Sequence, residues 1–363
     1  MTPNALDKGQ TYYVNDGRAL DLISPAEAIF AIRSALANVS LNEAHSLPRR
    51  RIYVEKSPNR YLWHNSMAAW HEGERTIAVR TDVATVQLSD DGKMEFPGDF
   101  SGFVMLFDAD TCTPYGIIQD HILSPLRVAA TSAIASQMMA RSDSRVLSLM
   151  GGGEQAVAHA TCFLEVFPNL EEIRFFVRTA SRRKMIVDRL SAKCNVPIVS
   201  MESPQELITG ADIVVACTNA KDPVLRGEWI EPGQHLVTVA SPDKHFPRQE
   251  IDQQCALAAS TIVVNSVEQI FVDEQEPLKS LIEQGAIEKG QIIELTDLLH
   301  RDIMARASDR AVTLYDNNVG MGVQFAALGP IILERAFKAG LAEQISSNIF
   351  MTRRATLAEQ FAP

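Results

Sequence analysis

The run from Val146 to Ala156 constrains this chain more than any other stretch of it. Val146-Leu147-Ser148-Leu149-Met150 reads as a buried parallel strand, and Gly151-Gly152-Gly153-Glu154-Gln155-Ala156 as a turn of the form G-x-G-x-x-A. Val157 to Phe167 then reads as a helix. In such a turn Gly151 makes the tight bend, Gly153 lets the backbone approach a pyrophosphate, and Ala156 allows close helix packing. The helix start adds unpaired N–H groups and the positive end of a dipole. A glycine triplet alone is weak evidence. With a strand before it and a helix after it, a dinucleotide site spanning Gly151, Gly153, Glu154, Gln155 and Ala156 is the better reading.

Further strands follow at Glu172–Val177, Ile213–Cys217, His235–Ala240 and Ile262–Asn265, separated by helical spans, the pattern of a parallel α/β sheet. An acid at the end of the second strand normally holds the ribose hydroxyls of NAD. This chain instead has Arg178-Thr179-Ala180-Ser181-Arg182-Arg183. Guanidinium forks and hydroxyls suit a 2′-phosphate, so NADP(H) is favoured and NAD(H) kept open, with Arg178, Thr179 and Arg182 as candidates. An ordinary solvated helix start is the competing reading. Thr218, just past the third strand, completes the candidate cofactor set.

A net charge of −11 argues against nucleic acid as the main partner, which would need a positive face. No apolar run approaches a membrane span, and the start MTPNALDKGQ lacks a signal-peptide layout, so a cytoplasmic protein is expected. The five cysteines are scattered without C-x-x-C spacing, and the eight histidines show no paired spacing; no metal is expected.

Before the glycine turn, Pro25–Ala37 reads as an amphipathic helix with Ser24 as its N-cap. Strands are predicted at Tyr12–Val14, Arg51–Val54, Tyr61–Asn65, Thr76–Thr81 and Gly102–Phe107, and a small-residue helix over Pro125–Ala140, with Arg127 in its first turn. A last helix is predicted over Gln324–Ala339. The expected fold class is α/β: a Rossmann-like dinucleotide-binding domain (126–318) inserted into a mixed α+β substrate and dimerisation domain (1–125, completed by 319–363).

These pieces together resemble the ornithine cyclodeaminase / mu-crystallin family. The resemblance runs through Leu106-Phe107-Asp108 with Thr111 and Pro114, then Leu123-Ser124 with Arg127 and Ala129-Ala130. It continues through Gly151 to Ala156, Ala211-Asp212-Ile213-Val214 with Thr218, Pro223-Val224-Leu225, Trp229, Pro232-Gly233, Glu250-Ile251-Asp252 and Val319-Gly320. It implies a homodimer whose subunits bind NAD(P) and a small α-amino or α-imino acid between two domains. The shared chemistry is hydride transfer at the α-carbon that bears nitrogen, performed by the cofactor while the protein supplies orientation and charge.

The resemblance also places a substrate arginine at Arg51, with Arg50 as the alternate, and a pocket methionine at Met67. Arg127, a charge in a small apolar helix, calls for an anionic partner, either a substrate carboxylate or a structural acid. Where the family usually has a lysine, this chain has Arg80. Arginine stays protonated and cannot act as a general base, so Arg80 points to carboxylate binding. The family's proton-donating aspartate maps to Asp243, with His245 and Lys244 as alternates, in a segment about two residues longer than usual. The expectation is therefore an NAD(P)-dependent imine reductase or amino-acid dehydrogenase. A cyclodeaminase-type lyase that releases ammonia and a non-catalytic nicotinamide- or ligand-binding protein are the alternatives.

Overall fold

A computed structural model describes residues 6–7, 9–89, 94–240, 245–246, 248–301 and 303–352. The chain forms two sheets. The first holds β1 (Gln10–Val14), β2 (Ala44–Ser46), β3 (Arg50–Ser57), β4 (Arg60–His71), β5 (Thr76–Leu88), β6 (Met94–Glu95), β7 (Ser101–Asp108) and β8 (Pro114–Gln119). The second holds β9 (Val146–Met150), β10 (Glu172–Phe176), β11 (Ile198–Ser200), β12 (Ile213–Ala216), β13 (His235–Thr238), β14 (Thr261–Val264), β15 (Ile292–Glu294) and β16 (Thr313–Asp316). The late strand β17 (Glu343–Ser346) returns to pair with β1 in the first sheet.

The first sheet is antiparallel except where β1 runs beside β8. The second is parallel throughout, in the order β11-β10-β9-β12-β13-β16-β14-β15. Its order reverses between β9 and β12. In open parallel sheets the crevice beyond the carboxyl ends at such a reversal is where ligands bind. The fold is thus an α/β unit built on a parallel sheet and joined to a mixed α+β unit.

Helix α1 (Pro25–Ser40) starts on a capping box, Ser24 and Glu27 each satisfying the other's backbone N–H, with proline in the first turn. Its buried stripe, Ala28, Ile29, Ile32, Ala35 and Leu36, has helical spacing. Helix α2 (Asp120–Met139) joins the two sheets. It begins five residues before Pro125, which sits inside it, so Arg127 lies in the third turn and not the first. A proline inside a helix forfeits its own N–H bond, which explains why Pro125 reads as a start when the helix does not begin there.

The small residues of α2 face helix α3 (Glu154–Val166), where His159 Nε2 and Ser132 Oγ share a buried hydrogen bond of 3.0 Å. Further along α2, Ser136 Oγ meets His235 Nε2 at 2.9 Å, while His235 Nδ1 lies 2.8 Å from Thr313 Oγ1. Burial pushes His159 down to about 4 and His235 down to about 3. Both rings are neutral struts.

Candidate active site

At the glycine turn the backbone explains the sequence. Gly151 has φ +131°, and a Cβ there would meet the carbonyl oxygen of Cys217 at 2.6 Å. A Cβ on Gly152 would collide with Ile186. Gly153, the N-cap of α3, would carry a Cβ into open space. The first two glycines are therefore required by the protein itself, and the third is free to face a ligand. Glu154 opens α3 and pairs with Arg189, Ala156 is fully buried, and Gln155 has a buried Oε1 with no partner among the described residues. At the end of β10, Arg178, Thr179 and Arg182 are exposed.

Thr218 donates its N–H (2.5 Å) and hydroxyl (2.9 Å) to Glu250 Oε1. The other oxygen of Glu250 accepts from Thr238 Oγ1 at 2.7 Å and from the N–H groups of Val239 (2.9 Å) and Ala240 (2.8 Å). One buried carboxylate thus clasps the carboxyl ends of β12 and β13. Its only trace in the sequence is the Glu250-Ile251-Asp252 run, which carries no signal of this role.

Across the crevice stands a network of buried charge built on β3, β4, β5 and α2. Arg80 donates through Nε and Nη2 to both oxygens of Asp120, at 3.0 and 2.7 Å, and through Nη2 to Asp82 at 2.9 Å. Burial alone would lower the pKa of Arg80, but the bonds to Asp120 and Asp82 outweigh it and hold the group above its ordinary value. Burial likewise opposes ionisation of Asp120, and Arg80 overcomes it and carries the pKa below the usual carboxylate range. Ser124 Oγ also donates to Asp120. The guanidinium expected to bind a substrate carboxylate is thus already bonded to two carboxylates of the chain. Asp82 shares a strand face with Arg80 by the two-residue period, a signal present in the sequence, whereas Asp120 lies forty positions away.

Asn65 links this cluster to the next: it donates to Asp82 Oδ2 at 3.2 Å and accepts from Arg51 Nε at 2.9 Å. Arg51 and Arg49 both reach Asp273 Oδ2, at 3.5 and 2.8 Å, at the end of the helix Val267–Val272. Arg50 points outward toward Glu268 at 3.6 Å. Of the two alternates, the structure brings Arg51 into the crevice network and leaves Arg50 at the surface, as strand alternation requires. Met67 is buried on the same face of β4 as Asn65.

Arg127 is different. Nη1 donates to Gln324 Oε1 at 3.1 Å, the guanidinium lies 5.3 Å from the Phe325 ring centre, and Nε is buried with no partner among the described residues. Burial, helped by the charge of Arg80, pulls it down to about 10. Gly320 packs against its Nη1, and any larger residue there would displace it. Asp243 and Lys244 lie outside the described residues. His245 stacks on Tyr53, with ring centres 4.1 Å apart, and the buried Phe246 packs on Tyr53 and Tyr61. No cluster with metal-binding composition occurs among the described residues.

A parallel sheet with a glycine-turn crevice, faced by an arginine-bearing second sheet, defines a dinucleotide-dependent class of protein. The chain belongs to the ornithine cyclodeaminase/mu-crystallin family, whose model matches residues 21–340. A Delta(1)-pyrroline-2-carboxylate reductase of Bacillus cereus is 27% identical over 275 residues, 76% of this chain and 82% of that protein. The ketimine reductase mu-crystallin of Macropus fuliginosus is 30% identical over 233 residues, 64% of this chain and 68% of the other. Among solved structures, the Thermococcus litoralis Delta(1)-pyrroline-2-carboxylate reductase in complex with NADH and L-proline superposes with a TM-score of 0.81 at 24% identity. That superposition covers 92% of this chain and 100% of the other.

Proposed function

We propose that this chain is an NAD(P)-dependent imine reductase that acts on a small α-imino acid, and that Arg127 anchors the substrate carboxylate. The observation that carries this reading is the state of Arg127. It is the one arginine of the crevice network bonded to a neutral amide and not to a carboxylate among the described residues, it retains an unpartnered Nε, and it lies against an aromatic ring. A buried cation in that condition is stabilised by an anion that supplies the missing bonds. The reductases among the relatives support imine reduction, and the fold is shared with the Thermococcus litoralis reductase.

In this reading Gly151, Gly153, Glu154, Gln155, Ala156 and Thr218 form the cradle for the dinucleotide. The cofactor supplies the hydride when bound. Arg178, Thr179 and Arg182 receive a 2′-phosphate, which favours NADP(H) over NAD(H). Arg51 and Met67 line the substrate side. Arg80 acts as a positioning residue that fixes Asp120 and Asp82, since no guanidinium so bonded takes up a proton. Asp243 is the proton donor to nitrogen.

The subunits pair as a homodimer through the outer face of the first sheet. That face leaves Ile52, Val54, Val83 and Phe103 exposed at 58%, 38%, 39% and 37%, all on one side of the sheet by strand register. An Ile52→Glu/Val83→Lys variant sedimenting at the same mass as the native protein counts against this interface.

The direct test is NADPH consumption with five- and six-membered cyclic 2-carboxy-imines, and with pyruvate plus methylamine. Turnover of these with none of a ketone lacking the amine supports the reading. Ammonia release from ornithine without net change in the cofactor supports the cyclodeaminase alternative, and tight cofactor binding with no turnover supports a binding protein. Arg178→Ala is expected to raise the Kd for NADPH more than that for NADH.

A further inference from the structure

The strand β16 ends at Asp316 and runs on into Asn317-Asn318, three polar residues at the carboxyl edge of the second sheet. The asparagines are fully used. Asn317 accepts from Asn265 Nδ2 and donates to Val128 O and Ser132 Oγ. Asn318 receives the N–H groups of Asn265 and Ser266 and donates to Ser266 O and Gln275 Oε1. Asp316 is the exception. It is 9% exposed, its carboxyl makes no hydrogen bond among the described residues, and its oxygens are not among the fully buried unpartnered atoms, so they keep access to open space. A largely buried carboxyl without an internal partner that still reaches an opening is placed to meet a ligand there.

Its position supplies one. Asp316 pairs in register with Thr238 on β13 and Val264 on β14, beyond the point where the strand order reverses. Four residues further on, Gly320 packs against Arg127, so the segment 316–320 joins the sheet edge to the proposed carboxylate anchor. A dinucleotide whose pyrophosphate lies at the glycine turn, with its adenosine end over β10, directs its nicotinamide end across β12, β13 and β16.

We infer that Asp316 faces the nicotinamide end of the cofactor and that its ionisation sets the preference of the site between the reduced and oxidised forms. This rests on the proposed cofactor site. A neutral carboxyl is indifferent to ring charge, whereas an ionised one attracts the cationic oxidised ring and not the neutral reduced one.

The surroundings favour the neutral form. Burial and the neighbouring charge of Glu250 push Asp316 up to about 8. The titratable groups linked to it are Glu250 from the segment after β13, whose charge also acts on Cys217 just past β12, and Tyr315 on the opposite face of β16. Burial raises both the Tyr315 hydroxyl and the Cys217 thiol far above neutrality. Neither titrates between pH 7 and 9. At pH 7 the site therefore favours the reduced cofactor, and above pH 8 it shifts toward the oxidised one.

The test is binding without turnover: Kd for NADPH and for NADP+ at pH 7 and pH 9, in the native protein and in Asp316→Asn. The phosphate groups are common to both cofactors and cancel in the ratio. The native ratio of Kd(NADP+) to Kd(NADPH) is expected to fall about tenfold from pH 7 to 9, and to stay flat in Asp316→Asn. The same slope in both proteins overturns the inference. If Asp316→Asn does not fold, calorimetry of the native protein at pH 7.5 in two buffers of different ionisation enthalpy decides: proton release on binding NADP+ but not NADPH is expected, and equal release overturns the inference. Failure of either cofactor to bind at any pH refutes the proposed function instead.

Discussion

Arg80 and Asp120 meet as a two-bond fork, Nε to Oδ1 at 3.0 Å and Nη2 to Oδ2 at 2.7 Å, with both side chains buried. The pair joins β5 of the first sheet to the first residue of α2, the helix that leads into the second sheet. Breaking one side of a buried ion pair leaves the other charge uncompensated. Asp120→Ala is therefore expected to cost about 3 kcal/mol in urea unfolding, at the low end of such cases because Asp82 still bonds Arg80. Arg80→Lys keeps the charge but loses the fork, and should cost less. An Asp120→Ala protein of native stability would show that the fork is not formed.

Arg127 should behave in the opposite way. Its cation is buried with little internal compensation, so Arg127→Met is expected to leave the free protein as stable as the native one, or more so. The same change is expected to lower kcat/KM by about 2 to 5 kcal/mol of transition-state stabilisation while sparing cofactor Kd. Thermal melts together with steady-state kinetics check both parts. Native kinetics in Arg127→Met would place the carboxylate anchor elsewhere.

The three glycines of the turn should separate by role. Gly153→Val points its side chain into open space, so the protein should fold with native stability and lose dinucleotide affinity. Gly152→Val drives into Ile186 and should cost about 1 to 3 kcal/mol of stability. Circular dichroism melts and cofactor titration of both variants distinguish packing from binding. Retained affinity in a well-folded Gly153→Val protein would exclude this turn as the pyrophosphate cradle.

His159 and His235 predict an acid response. Each is held neutral in the folded state, with a pKa of about 4 and about 3, while the unfolded chain takes up a proton near 6.5. The unfolded state thus binds more protons below 6.5. The stability these rings contribute is complete above that value and is lost as pH falls toward the folded pKa values. Between pH 6.5 and 5 the loss should be about 2 kcal/mol per histidine. His235→Gln should flatten the pH dependence of the urea midpoint, and an unchanged slope would mean that His235 is not buried neutral.

How much of this was readable in advance follows from the physics of each element. The β9 turn and α3 were legible because glycine positions and strand hydrophobicity are local. The placement of β16 between β13 and β14 was not, because Thr313–Asp316 is four residues long and its neighbours are set by tertiary pairing. Arg127 stood out as a charge in an apolar helix. Arg80 looked like a ligand group because its partner Asp120 lies on another element, and no pattern along the chain announces a bond across that separation. The roles of Glu250 and Asp316 depend on which backbone ends surround them, information that exists only after folding.

The clasp made by Glu250 has a consequence for how the sheet edge holds together. One carboxylate pins Thr218 and residues 238–240, so the ends of β12 and β13 are tied to each other through a third segment of the chain. The ends of two strands therefore hang on a single side chain, and a change at Glu250 would release both of them at once.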